Sequence, residues 1–134
     1  MYLKPKKSKF KKYHKGRMEF NHKTQGICYG DYAIVSQETG NLTSKQIYLA
    51  ELAIKRKIKK QGIILKRVYP HLAVTKKPAE VRMGKGKGSV DHYISRISPG
   101  SIIMEIKTSS EFLARAAIKT AGSKLPFKTS FIKK

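Results

Sequence analysis

The basic side chains of this sequence constrain its fold most, because they are both numerous and clustered. Lysine and arginine number 30 and aspartate and glutamate 8, so 134 residues carry a formal charge of +22. Lys4–Arg17 contains eight cations and Lys55–Arg67 seven, and neither block contains an acid. Blocks of this kind repel themselves, and a compact state needs bound anions to offset the charge. The sequence therefore predicts a polyanionic partner, and nucleic acid is the expected one.

Residues 1–24 are predicted to form a basic RNA-binding N-terminal extension. They mix cations with aromatic residues, lack apolar periodicity and hold too little apolar area to offset the entropy of ordering. Phe10 and Tyr13 are expected to stack on bases, and a flexible solubilising tail is the alternative. Residues 25–134 are predicted to form one α+β domain, in which two helices pack on an antiparallel or mixed β-sheet.

Two amphipathic helices are predicted. The first begins after Thr43, whose spacing to Gln46 is that of a capping box, and Gly62 is its expected C′ residue. Ser109 or Ser110 is expected to cap the second, which ends near Gly122. The apolar stripes are Ile47, Ala50, Ile54 and Ile58 in the first helix, and Leu113, Ala117 and Ala121 in the second.

Strands are predicted where β-branched and aromatic residues concentrate, over residues 27–36, 63–69, 90–98, 101–107 and 127–132. Pro99-Gly100 predicts a hairpin between 90–98 and 101–107. Alternation of Ile102, Met104 and Ile106 with Ile103, Glu105 and Lys107 predicts one apolar face for the later strand. Glu38–Asn41 is predicted as a turn, and residues 71–80, which include Pro78, as irregular.

The glycine-lysine loop, Arg82-Met83-Gly84-Lys85-Gly86-Lys87-Gly88, places three glycines at alternate positions between cations. Glycine permits positive φ and close approach of the backbone to a partner. Gly86-Lys87 is followed by Gly88 and not by serine or threonine, so the loop is not a phosphate-binding P-loop. The dinucleotide fingerprint fails as well, because Ser89 stands where its third glycine would be.

No catalytic or metal site is predicted, and no cofactor. Cys28 is the only cysteine, and the four histidines, His14, His22, His71 and His92, are dispersed. No apolar run approaches the roughly 18 residues of a membrane span, and the N-terminus lacks a secretory apolar region. Two alternatives remain. One is an RNA-binding protein that recognises the phosphate backbone and the shape of folded RNA, which the loop favours, and the other is a chromatin-type DNA-binding protein.

Four blocks spread over the chain resemble one family in order and spacing. They are Pro5–Arg17, Leu42–Ile47, the central set Arg67–Pro70, Thr75–Pro78 and Arg82–Gly88, and Lys124–Thr129. Together they resemble the large-subunit ribosomal protein L16 family of bacteria and organelles. The resemblance implies a structural, non-enzymatic component of the large ribosomal subunit, with helices packed on a β-sheet.

The resemblance also implies partners and a location. These are large-subunit rRNA near the aminoacyl-tRNA site and peptidyl-transferase region, the aminoacyl-site tRNA and neighbouring large-subunit proteins, with a role in late assembly and no membrane or small-molecule substrate. The residues predicted to contact rRNA are Lys4, Lys6, Lys7, Lys9, Phe10, Lys11, Lys12, Tyr13, His14, Lys15, Arg17, Lys55, Arg56, Lys59, Lys60, Arg67, Lys124 and Lys128. Those predicted to face tRNA are Arg82, Met83, Gly84, Lys85, Gly86, Lys87 and Gly88.

The sequence departs from the family pattern at several positions. Leu65 and Tyr93 stand where the family commonly has tryptophan, Ala73 replaces a usual proline, and Leu52-Ala53 replaces frequent arginines. Lysine and isoleucine are used where relatives prefer arginine and valine, as an AT-rich genome would dictate. This bias predicts the ribosome of an organelle, plastid or mitochondrion, and otherwise the bacterial cytoplasm.

Overall fold

The computed structural model describes residues 3–14, 16–17 and 26–134. Predictions that fall on residues 1–2, on Lys15 and on residues 18–25, including His22, lie outside them. The strands are β1 (Tyr32–Ser36), β2 (Gly40–Thr43), β3 (Gly62–Lys66), β4 (Leu72–Lys76), β5 (Ser89–Ile97), β6 (Ile102–Thr108) and β7 (Thr129–Lys133), and the helices are α1 (Ser44–Ile58) and α2 (Glu111–Gly122). The predicted α+β class is confirmed.

The strands form two antiparallel sheets, whereas the sequence predicted one sheet. The larger has the order β3-β6-β1-β7 and the smaller the order β2-β5-β4. α1 and α2 pack against each other, and α2 lies on β1, β6 and β7. α1 contacts β3 of the larger sheet and β2 and β5 of the smaller, so it joins the two sheets.

The main core lies between the helices and the larger sheet. The predicted stripe of α1, Ile47, Ala50, Ile54 and Ile58, is at most 1% exposed, and burying each large apolar side chain contributes about 1.5–3 kcal/mol. In α2 the buried residues are Ala114, Ala117, Ile118 and Ala121. Leu113, predicted for this stripe, is only half-buried, because α2 turns its small alanines inward. Small side chains let the two helix backbones approach closely.

The caps of the helices follow the sequence at three of the four ends. Thr43 and Gln46 form the predicted capping box, and Ser110 caps α2 by accepting the N–H of Leu113 at 3.4 Å. α2 ends at Gly122, as predicted. The prediction for Gly62 is wrong, because α1 ends at Ile58 with Lys59 as its C-cap at φ 56°, and Gly62 begins β3. A Cβ on Gly62 would lie 2.6 Å from the carbonyl oxygen of Lys107, so close strand packing explains this glycine.

The predicted hairpin across Pro99-Gly100 is wrong. β5 and β6 lie in different sheets, and the turn between them carries the chain from the smaller sheet to the larger. Gly100, at φ 81°, donates its N–H to Ser36 at 2.8 Å, and Ser36 donates to Ser101 at 3.0 Å. These bonds hold the crossing against the end of β1, a contact that no local turn signal encodes.

Three other local predictions are corrected by tertiary pairing. Residues 71–80 were predicted as irregular, but β4 pairs with β5 between the flanking Pro70 and Pro78. The predicted turn at Glu38–Asn41 is shorter, because β2 already begins at Gly40. The strand predicted over 27–36 begins only at Tyr32, because the N–H groups of residues 28–30 bind a side chain of β6.

β6 buries the apolar face that was predicted, and from Ile103 to Glu105 it buries the opposite face as well. Ile103 and Glu105 are fully buried, together with Ile102, Met104 and Ile106. β6 is an inner strand between β3 and β1, and the helices cover only one of its faces. Ile27 and Ile132 pack with Ile102 in a second, smaller apolar cluster. Lys107 is the exposed residue of this strand.

Candidate nucleic-acid interface

The glycine-lysine loop, residues 82–88, connects β4 to β5 and contains no helix or strand, as predicted. Gly84, Lys85 and Gly86 have φ values of 95°, 53° and 86°. A side chain rarely adopts this left-handed backbone, which accounts for glycine on both sides of Lys85. A Cβ at Gly84 or Gly86 would meet nothing within 4 Å, and Met83 is 99% exposed. The middle of the loop thus presents its backbone and side chains to a partner.

The base of the loop is anchored on β4. A Cβ on Gly88 would lie 2.6 Å from the carbonyl oxygen of Lys76, so only glycine permits this approach. The ammonium of Lys77 donates a hydrogen bond to the carbonyl of Gly84. The loop is therefore fixed at its ends and open at its centre.

The N-terminal segment, residues 3–14, is joined to this loop by two lysines. Lys12 Nζ donates to the carbonyl of Lys87 at 2.8 Å, and Lys87 Nζ donates to the carbonyl of Tyr13. Lys87, predicted to face tRNA, thus turns toward the N-terminal segment. Farther back, Leu3 packs against the main core. The two regions that the sequence predicted separately form one continuous basic surface.

The aromatic residues of this segment contact each other. Phe10 and Tyr13 pack edge to face, with ring centroids 6.4 Å apart, and Lys9 lies 5.6 Å from the Phe10 centroid. Phe10 remains 58% exposed, so its ring is available for stacking. The predicted RNA-binding cations of this segment are all exposed, as are His14 and, beyond the segment, Arg17: Lys4, Lys6, Lys7, Lys9, Lys11 and Lys12.

The cations at the end of α1 form a separate group. Lys55 pairs with Glu51 at 2.7 Å, and Lys59 caps the helix by donating its N–H to Lys55 at 2.8 Å. Arg56 and Lys60 are exposed and form no ion pair with a described carboxylate. The described contacts join the loop to the N-terminal segment and join neither to this group.

Arg67, predicted to bind rRNA, is half-buried and contacts other residues of the protein. It forms an ion pair with Glu105, and its guanidinium lies 5.7 Å from the Tyr29 ring centroid. Lys128 lies 3.8 Å from Glu38 while its side chain is 80% exposed, a weak pair that leaves the cation accessible. Lys124 is exposed and pairs with none of the described acids.

Glu105 organises the segment before β1. Its carboxylate accepts the N–H of Tyr29 and Gly30 at 2.8 Å each and that of Cys28 at 3.2 Å. Burial, the largest influence, raises the pKa of Glu105, but these donors and the Arg67 cation outweigh it and hold that pKa below its usual value. The sequence analysis missed this role, and an acid in an otherwise apolar strand was its only signal.

Arg96 is a second residue that the sequence analysis missed. It lies in β5 opposite Asn41 and beside the N-terminal segment, where a Cβ on Gly16 would approach its guanidinium to 3.3 Å. No carboxylate within the described ranges pairs with it. The only signal for Arg96 in the sequence is a cation within a predicted strand.

The described residues contain neither a metal-binding cluster nor a membrane-spanning helix. Residues 3–14, 16–17 and 26–134 contain no group of three histidine, cysteine, aspartate or glutamate side chains placed to hold a metal ion. No helix there is long and apolar enough to cross a membrane.

Comparison with known proteins identifies the family. Residues 5–132 match the model of the family described as ribosomal protein L16p/L10e. The chain belongs to this family. The large ribosomal subunit protein uL16 of Acinetobacter baumannii strain SDF is 46% identical over 131 residues, which cover 97% of this chain and 96% of the relative.

Two relatives from another genus agree with this result. The uL16 proteins of Psychrobacter arcticus and Psychrobacter cryohalolentis are 46% and 45% identical over 133 residues, 98% of this chain and 97% of each relative. L16 proteins are structural and not enzymes, so family membership confirms the predicted absence of enzymatic activity. All three relatives are bacterial and give no support to an organellar source.

Proposed function

We propose that this chain is a structural constituent of the large ribosomal subunit that binds large-subunit rRNA near the aminoacyl-tRNA site and the peptidyl-transferase region. The observation that carries the proposal is an open, cationic glycine loop within a chain that matches the L16 family from residue 5 to residue 132. In this proposal the chain supports tRNA positioning and late assembly of the subunit. Its other partners are neighbouring large-subunit proteins.

The proposed rRNA interface consists of residues 1–24 as a basic extension and the cations that project from residues 25–134. The exposed cations of the N-terminal segment, with Arg56 and Lys60 at the end of α1, support it, because phosphate contacts require accessible charge. Arg67 contributes less directly, since Glu105 already neutralises it. Lys15 belongs to the proposal on its sequence position alone.

The proposed tRNA-facing element is the centre of the loop, with Arg82 and Lys85 as the phosphate contacts. Both side chains are exposed, and neither forms an ion pair with a described residue. Lys87 has a different role in this proposal, because its ammonium holds the N-terminal segment. The hydrogen bond of Lys87 supports different roles for two lysines that the sequence treats alike.

Sedimentation tests the ribosomal role directly. The tagged full chain is expressed in a bacterium whose own L16 is depleted, and the lysate is separated on sucrose gradients at low and moderate salt. We expect the chain to travel with large subunits and assembled ribosomes at both salt concentrations. Retention at the top of the gradient, or loss from the subunit at moderate salt, would identify a free nucleic-acid-binding protein and refute the proposal.

Substitution in the loop tests the tRNA-facing role. Lys85→Ala removes one exposed cation, and Lys107→Ala removes an exposed cation on β6 as a matched control. We expect both variants to enter the subunit fully, and Lys85→Ala alone to weaken aminoacyl-site tRNA binding about tenfold, the loss of one charge-assisted contact. Equal tRNA affinities for the two variants would contradict the role of the loop.

An organellar source remains a prediction that rests on the lysine and isoleucine usage of the sequence. Its test is the genome that encodes the chain. A plastid or mitochondrial gene would confirm the prediction, and a bacterial chromosomal gene would refute it.

A further inference from the structure

A cavity of ≈ 260 Å³ lies where the N-terminal segment, the glycine-lysine loop and the smaller sheet meet. Its floor is one face of that sheet, where Leu72 of β4 lies opposite Ile94 of β5 and Val74 lies next along β4. These side chains are apolar and at least half-buried. The floor is therefore an apolar surface on which the face of a planar ring can lie.

The rim of the cavity is polar and cationic. Tyr13 and His14 line one side, Lys87 and Arg96 contribute the charges, and Asn41 offers an amide next to Arg96 across the β2–β5 pair. None of the lining residues is an acid. An aromatic ring, two cations and an amide around an apolar floor match a base, its phosphate and its hydrogen-bonding edge.

The wall that carries Tyr13 is held in place by the lysine contacts between segment and loop. Lys12 and Lys87 each donate to a carbonyl of the other region, so two hydrogen bonds hold this wall to the glycine-lysine loop. Gly16, at φ 58°, continues the chain over the Arg96 guanidinium. Tyr13, Lys87 and Arg96 thus lie around one cavity above the smaller sheet.

We propose that this cavity binds a single unpaired nucleotide of an RNA chain, an inference that rests on the proposed RNA-binding role. The base lies on the apolar floor against the Tyr13 ring, and its phosphate lies against Arg96. The Lys87 ammonium keeps its hydrogen bond to the Tyr13 carbonyl and adds positive charge nearby. The volume of the cavity lies just below the roughly 300–1,000 Å³ of sites for drug-sized ligands, which suits a single base. A bulged or looped-out nucleotide is the form in which RNA presents such a base.

The experiment uses the full chain and two RNA hairpins that differ by one bulged 2-aminopurine. We expect the bulged hairpin to bind about tenfold more tightly than the fully paired one, with a change in 2-aminopurine fluorescence on binding. Tyr13→Ala should abolish the fluorescence change and lower the affinity to that of the paired hairpin. Phe112→Ala, which removes an exposed aromatic residue of α2, is the matched control and should retain both effects.

Two further variants, in the smaller sheet, test the cavity without altering the N-terminal segment. Val74→Phe fills the cavity without a change of charge and should remove the preference for the bulge. Arg96→Gln should weaken the bulged hairpin more than the paired one, whereas Lys107→Gln should weaken both equally, since it removes only general charge. Thermal unfolding by circular dichroism identifies any variant that does not fold.

The outcomes separate this inference from the proposed function. Equal affinity of the unaltered chain for both hairpins would overturn the nucleotide site and leave RNA binding intact. Binding to neither hairpin, together with absence from large subunits, would overturn the proposed function itself. Displacement of the bulged hairpin by equimolar adenosine monophosphate would show a site for free mononucleotides and overturn the assignment to an RNA chain.

Discussion

Replacement of Glu105 by glutamine removes the charge that joins β6 to the segment before β1. Oε2 accepts the N–H groups of Tyr29 and Gly30, and Oε1 accepts those of Cys28 and Arg67. A glutamine converts one oxygen into an NH₂ donor, so two of these four hydrogen bonds are lost in either amide orientation. At about 1.5–3 kcal/mol for each hydrogen bond to a charged group, and with Arg67 partly screened by solvent, we expect Glu105→Gln to lower the free energy of unfolding by about 3 kcal/mol.

The assay is urea unfolding of the full chain, followed by circular dichroism between pH 7 and pH 3. Because the pKa of Glu105 is lowered in the folded state, its stabilisation is complete above the pKa of the unfolded side chain, near 4.3, and is lost as the pH falls through the folded value. The glutamine does not titrate. The difference between the two proteins should therefore be largest near pH 7 and should shrink as the pH falls below about 4.

Glu38→Gln is the matched control for this prediction. Glu38 is about half exposed and lies 3.8 Å from Lys128, and we expect its replacement to cost under about 1 kcal/mol at any pH. The reasoning about Glu105 would be refuted by a loss of less than about 1 kcal/mol at pH 7. A loss that does not change with pH would refute it equally, because a charge effect must titrate.

Three further substitutions test the fold by urea unfolding. Ile54→Ala leaves a cavity at a fully buried site and should cost about 2–5 kcal/mol; a cost below 1 kcal/mol would mean that α1 does not pack as described. Thr43→Ala removes the acceptor of the Gln46 N–H in the capping box and should cost about 1 kcal/mol, whereas Thr43→Ser should restore most of it. Gly88→Ala places a Cβ 2.6 Å from the carbonyl oxygen of Lys76 and should cost about 1–3 kcal/mol; an unchanged stability would show that the loop base is free to shift.

The helices were predictable because their signals are local. The capping box of Thr43 and the four-residue stripe of α1 lie within one short stretch, and their outcome depends on helix geometry alone. The end of α1 was not predictable from Gly62, because that glycine serves a contact with Lys107 that is distant in sequence. Local patterns therefore predicted the helix starts correctly, whereas they did not predict the role of a glycine that packs against a distant strand.

In the candidate site, too, the sequence predicted the local features but not the contacts between distant residues. The glycine spacing predicted a loop whose backbone can adopt positive φ, and Gly84 and Gly86 confirm this with φ values of 95° and 86°. The sequence did not indicate that Lys87 holds the N-terminal segment or that Arg67 is neutralised inside the protein. Both facts depend on which residues the fold brings within a few ångströms.

The sequence by itself determined the polyanionic partner, the α+β class, the helix starts and the exposed glycine loop, because charge, periodicity and backbone preference act between near neighbours. Only the tertiary structure decided that β5 and β6 belong to different sheets and that β6 is covered on both faces. It also decided that Tyr13, Lys87 and Arg96 surround one cavity. Strand pairing and burial join residues far apart in the chain, and their energies depend on the whole arrangement and not on any local pattern.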